Sequence, residues 1–96
     1  MNKILSYIGF AKKSGHIVFG QDNIIKTKNV QIILCDEALS QNTIKKMVTK
    51  KASIYILPTS NMQELSQSAK VLAITDKSLS QAIQNQIEEF GGKKFE

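Results

Sequence analysis

Apolar residues recur at helical spacing over residues 2–13, where Ile4, Leu5, Ile8 and Ala11 fall on one face. Gly15 closes that helix, after Lys12 and Lys13 complement its negative end. Residues 16–19 read as a short extended piece, and residues 20–28 as a helix burying Ile24 and Ile25. The run 30–35, VQIILC, has strand length and no strict alternation, the pattern of a strand covered on both faces. Ser40 then caps a helix reaching about residue 51, with Ile44, Met47 and Val48 as its apolar stripe. Residues 53–57 form the next strand, closed by Pro58. A short helix containing Met62 and Leu65 starts at Thr59 or Ser60, and residues 71–74 make a fourth strand. Thr75 or Asp76 caps the last helix, whose stripe is Leu79, Ala82, Ile83, Ile87 and Phe90. Gly91 and Gly92 end it, leaving residues 93–96 as a loose tail.

Strands alternating with helices predict an α/β domain, a single-domain three-layer α-β-α sandwich around a four-stranded mixed sheet. Ninety-six residues suffice for one modest core. No stretch approaches the roughly 18 apolar residues of a membrane span, and the N-terminal patch, broken by Ser6, Tyr7 and Gly9, reads as an amphipathic helix and not a signal peptide. The expectation is a cytoplasmic protein, and the single Cys35 fits a reducing compartment.

Charge adds a partner class. The formal net charge is +5, from thirteen basic residues against eight acidic, and every basic residue is a lysine. Lysine acts on phosphate as a point charge, without the fork that lets arginine select a base. The segment 9–26, GFAKKSGHIVFGQDNIIK, concentrates the relevant groups: a basic helix end, a turn, an apolar strand and a glycine-led helix start. Helix-start N–H groups attract anions, and Gly20 has no side chain to hold a ligand backbone away. Asp22 and Asn23 offer short polar side chains to base edges, and Lys26 lies one turn on. A Gly20→Val change is expected to block close approach with little loss of fold. Lys45, Lys46, Lys50 and Lys51 read as a solvated face that joins this footprint only if it shares a side with Gly20. Cys35 and His16 have no spacing that makes a nucleophile–base pair, and His16, Cys35, Asp36 and Glu37 lack the repeated spacing of a metal site. The expectation is a protein that is not an enzyme and takes no cofactor or metal. Tyr55 and Phe90 fall on core positions, so stacking aromatics of the kind that hold single strands are scarce.

In the order Gly9-Phe10-Ala11-Lys12-Lys13, Gly15 and Gly20-Gln21-Asp22-Asn23-Ile24-Ile25-Lys26, the chain resembles the L-seven-Ae ribosomal-protein family of RNA binders, especially its small bacterial YlxQ-type members. Further support comes from Ile32-Ile33-Leu34 with Glu37, from Ser40-Gln41-Asn42-Thr43 and from Ala73-Ile74-Thr75-Asp76-Lys77. The resemblance implies an α-β-α sandwich and recognition of structured RNA, often a kink-turn with sheared G·A pairs, ribosomal RNA among the candidates. It implies Gly20 and Gln21 against the RNA backbone, with Asp22, Asn23 and Lys26 facing purine edges. Glu37 would order the site, and the loop with Ser68, Ala69 and Lys70 would complete the rim. Apart from the resemblance, Lys12 and Lys13 either only stabilise the end of their helix or also touch phosphate. Kink-turn readers usually carry Asn then Glu where this chain has Asp22 then Asn23, and the 66–71 loop is shorter than theirs. Those departures motivate an alternative, a protein-interaction adaptor of the same fold without kink-turn recognition. Either way the chain is expected to be monomeric, to avoid membranes and to have no small-molecule substrate.

Overall fold

A computed structural model describes residues 2–95. In chain order the elements are α1 (Asn2–Ser14), β1 (Ile17–Phe19), α2 (Gln21–Lys26), β2 (Ile32–Asp36) and α3 (Gln41–Met47) with a 3-10 turn (Val48–Lys50). There follow β3 (Ser53–Leu57), α4 (Thr59–Ser66), β4 (Val71–Ile74), α5 (Lys77–Glu89) and β5 (Lys93–Lys94). The five strands form one mixed sheet in the order β1-β4-β2-β3-β5. β2 and β3 are parallel, whereas β4 runs antiparallel to both β1 and β2, and β5 antiparallel to β3.

Two apolar clusters occupy opposite faces of this sheet, and the two-residue period of the strands sorts them. Ile32, Leu34, Tyr55, Leu57, Leu72 and Ile74 face α1, α4 and α5, meeting Ile4, Ile8, Met62, Leu65, Ile83 and Ile87. Ile33, Cys35, Ile54, Val71 and Ala73 face α2 and α3, meeting Ile24, Ile44 and Met47. All five residues of β2 are buried, which explains its unbroken apolar run. Caps fix two of the helix starts. Ser40 Oγ accepts from Thr43 N at 3.2 Å, and Asp76 Oδ2 accepts from Leu79 N at 2.8 Å.

Several expectations need correction. The sheet has five strands instead of four, because Lys93 and Lys94 pair with Ile56 and Tyr55 where a loose tail was expected. Phe95 N donates to Ile54 O at 2.8 Å and extends that pairing, while residue 96 lies outside the described residues. Gly92 permits the turn into β5: a Cβ there would overlap the Ile87 side chain, and the Ile87 carbonyl lies 3.2 Å away. Strand β2 starts at Ile32, not residue 30, and α2 stops at Lys26, two residues early. Three residues assigned to apolar stripes are exposed, Ile25 at 39 %, Val48 at 49 % and Phe90 at 43 %. Tyr55 is buried as expected. Phe90 caps the end of α5 and overhangs the sheet edge, lining a cleft of about 390 Å³ with Pro58, Asn61 and Lys93.

Candidate nucleic-acid interface

Strands β1, β2 and β3 point the same way, so their C-terminal ends share one edge of the sheet with the start of β4. Backbone hydrogen bonds tie the loops at that edge together. Gly20 N donates to Val71 O at 3.1 Å, Asp36 N donates to Lys70 O at 2.8 Å, and Glu37 N donates to Leu57 O at 2.9 Å. The segment from Gly20, the loop 67–70 and the turn at Glu37 are therefore neighbours along one rim. With strands about 4.8 Å apart, Gly20 and Asp36 stand about 10 Å from each other across β4.

Gly20 has φ +90° and ψ 144°, a backbone conformation that belongs to glycine. This turn swings the chain from β1 into α2 and leaves the spot above Gly20 open. The nearest atom to a Cβ built there is Asn23 Nδ2 at 4.0 Å. No side chain caps the first turn of α2. Gln21 is half-buried, whereas Asp22, Asn23 and Lys26 are exposed. Asn23 is partly committed to its own chain, since its Nδ2 donates to Phe19 O at 3.0 Å. One amide hydrogen is thus used locally, and Oδ1 remains the outward polar atom.

Lys12 Nζ lies 5.8 Å from the centroid of the Phe19 ring, a cation–π distance that draws this ammonium toward the residue before Gly20. Lys13, one position on, is exposed and turned about 100° farther from the core-facing side of α1. Across the rim, Ser66 Oγ lies 3.1 Å from Met62 O and 2.5 Å from Ala69 O, its single proton shared between the two carbonyls. These bonds fold the 67–70 loop tightly, with Ser68 and Lys70 exposed and Ala69 half-buried. The loop's shortness, legible in the sequence, is matched by a hydroxyl that braces it from both sides.

Glu37 sits at the other end of the rim, where Thr59 N donates to its Oε2 at 3.2 Å and so engages the start of α4. Beside it is a residue that the sequence did not single out as an organiser. Asp36 is 4 % exposed, and its Oδ1 accepts from Ala38 N at 2.9 Å and from Thr59 Oγ1 at 2.6 Å. The only signal for it was an Asp directly after an apolar strand, a pattern too common to separate from an ordinary turn. The rim therefore carries ammonium groups from Lys12 and Lys70, with the carboxylates of Asp22 and Glu37 among them. Lys26, expected beside them, ends α2 and stands about 9 Å below that edge.

The lysines of α3 and its 3-10 turn are not on the rim itself but lower on the adjoining α2–α3 layer. Lys50 Nζ donates to Ile25 O at 2.9 Å, at the C-terminal end of α2 and away from the Gly20 edge. Lys45, Lys46 and Lys51 accompany it toward the foot of the α2–α3 layer. Cys35 is fully buried, and that burial pushes its thiol pKa up to about 12, which suppresses the thiolate a nucleophile needs. Among the described residues no group of three or more His, Cys, Asp or Glu side chains could hold a metal ion. Nor is any helix of the described residues long and apolar enough to cross a membrane.

Fold and rim together define a compact mixed α/β domain with one lysine-bearing loop edge. A solved structure from Bacillus halodurans C, described as a protein with unknown function, is similar at TM-score 0.75 and 17% identity, covering 90% of this chain and 97% of that one. At that identity the likeness speaks for the fold alone. No family model matches the chain, and no curated protein does.

Proposed function

We propose that the protein is a non-catalytic binder of structured RNA, a kink-turn or similar internal loop, engaged through the start of α2 and the surrounding lysines. The observation that carries this reading is the knitting of three loops into one rim by Gly20 N to Val71 O and Asp36 N to Lys70 O. Such a rim offers an open approach above Gly20, a first turn of α2 that no side chain caps, and ammonium groups on either side. Phosphate contacts set the register, and short side chains at Asp22 and Asn23 select among base edges. The layered arrangement, helices on both sheet faces, agrees with the α-β-α sandwich of the L-seven-Ae resemblance. On this reading the protein works without a cofactor, as a bacterial cytoplasmic monomer.

Mobility-shift titration on a kink-turn RNA and on total ribosomal RNA, across a salt series, tests the proposal. Salt-sensitive binding weakened by Lys26→Ala is the expected result; absence of salt-sensitive binding to any structured RNA overturns it.

The Asp22–Asn23 order and the short, tightly folded 67–70 loop favour a second reading, a protein-interaction adaptor of the same fold. Phe10 on α1, 62 % exposed, is the side chain that tests it. Capture of a single protein partner that survives ribonuclease and is lost in Phe10→Ser supports the adaptor, and loss of that partner on nuclease treatment removes it.

A further inference from the structure

The fold divides the chain's charge very unevenly. The α2–α3 layer, residues 20–31 and 40–52, carries Lys26, Lys28, Lys45, Lys46, Lys50 and Lys51 against one carboxylate, Asp22. Six positive groups less one negative give +5, which equals the formal net charge of the whole chain. The seven lysines elsewhere are balanced by seven carboxylates. Solvent-facing lysines scattered for solubility would spread over both faces, whereas here one helical layer holds the entire excess.

The placement of these groups is directional. α2 and α3 both start at the Gly20 edge and run side by side, their C-terminal ends joined by the Lys50–Ile25 hydrogen bond. α2 is six residues long, so Lys26 and the α3 lysines begin about 9 Å below the mouth. In α3 the buried positions are Ile44 and Met47, which turns Lys45 and Lys46 outward on either flank. Both are exposed, as are Lys26, Lys28 and Lys51. The α3 helix with its 3-10 turn is about 16 Å long, a length over which one nucleic-acid strand presents about five phosphates.

We infer that the α2–α3 layer is a phosphate track continuous with the Gly20 mouth, along which one duplex arm of the bound RNA lies. This rests on the RNA-binding reading above and adds where the RNA goes after it leaves the rim. The track reads no sequence: its ammonium groups act on the backbone alone, so it adds affinity and salt dependence without selectivity. The opposite layer, with Glu64, Glu88 and Glu89 on α4 and α5, faces away from the RNA.

The experiment compares two kink-turn RNAs, one with arms trimmed to the internal loop and one with a long duplex arm on each side in turn. Wild-type protein is expected to bind one long-armed RNA more tightly and with a steeper salt slope than the trimmed RNA. In the triple variant K28Q/K45Q/K46Q the log–log salt slope on that RNA falls by about 2 to 3, at about 0.9 per lost phosphate contact on a duplex, and affinity drops by about tenfold or more. K28R/K45R/K46R retains both. Melting curves report whether the variants fold, and all three positions are exposed. A triple glutamine variant that keeps the wild-type slope and affinity on the long-armed RNAs overturns the track while leaving the rim standing. So does a result in which neither arm adds affinity for the wild type. Wild-type protein that binds no structured RNA overturns the functional reading itself, a distinct outcome.

Discussion

Replacing Gly20 by alanine tests the turn on which the candidate interface depends. At φ +90° and ψ 144° the backbone lies in a region essentially reserved for glycine, and an L-residue held there costs about 1–3 kcal/mol. Sterics add nothing, because the added Cβ meets no atom nearer than Asn23 Nδ2 at 4.0 Å. Alanine also restricts the unfolded chain, returning about 0.4–1 kcal/mol. The net expected loss is about 1.5 kcal/mol, or about 6–12 °C in Tm for a domain of this size. This corrects the expectation that Gly20→Val leaves the fold nearly untouched: a β-branched residue is still less tolerant of positive φ than alanine. Thermal and urea unfolding of Gly20→Ala and Gly20→Val measure the loss. A Gly20→Ala protein as stable as wild type would refute the reasoning, since the turn would then not need its glycine. In RNA titrations the same variant is expected to bind more weakly at temperatures where it remains folded.

Asp36→Ala leaves Ala38 N and Thr59 Oγ1 without their acceptor and is expected to cost about 2 kcal/mol, with hydrogen exchange rising first at the start of α4. Asp36→Asn keeps an oxygen at that position and loses much less. Gly92→Ala forces a Cβ onto Ile87 and is expected to cost about 1–3 kcal/mol, read by denaturant unfolding together with faster exchange of the β5 amides. Cys35 is expected to resist alkylation in the native protein, and its pKa, pushed from 9.0 to about 12 by burial, is expected to make stability pH-dependent. The folded-state value lies above the unfolded one, so the contribution is complete below about pH 9 and lost as pH climbs toward 12. Between those values the slope approaches about 1.4 kcal/mol per pH unit. Cys35→Ser should flatten this component in urea titrations over the same range.

Much of the architecture was legible because its signals are local. The helical spacing of Ile4, Ile8 and Ala11, the Ser40 cap and the unbroken apolar run of β2 each arise within a few residues. Features created by tertiary pairing were not. A two-lysine strand has no β signature of its own, and Lys93–Lys94 becomes β5 only because β3 presents a free edge. Val48 departs from the α3 stripe because the chain tightens there into a 3-10 turn, advancing about 120° per residue instead of 100°. Ile25 is exposed because a six-residue helix buries one position, Ile24. For the site, the segment 20–26 announced itself through Gly20 and its polar neighbours. Asp36 and the segregation of lysines onto one layer needed the fold, since both depend on residues brought together from separate stretches of sequence.

Asp22 discriminates between two origins of attraction at the mouth. The half-charge of a helix terminus belongs to a longer stack of peptide dipoles, and α2 has fewer than two turns. Its first turn also contains the Asp22 carboxylate, which offsets what dipole there is. Long-range attraction must therefore come from the lysines, leaving Asp22 to act at contact range as an acceptor for base amino groups. Asp22→Asn removes the one negative charge from the α2–α3 layer and trades part of that acceptor for a donor. Overall affinity for duplex RNA without an internal loop is expected to rise about two- to fivefold at low salt, equivalent to about 0.4–1 kcal/mol, and the rise should fade as salt is added. Discrimination in favour of an RNA with sheared G·A pairs should narrow at the same time. Paired titrations of both RNAs with the wild type and the variant read the two effects separately. Unchanged discrimination would remove Asp22 from base recognition, and unchanged low-salt affinity would mean that the lysine field does not govern approach to the mouth.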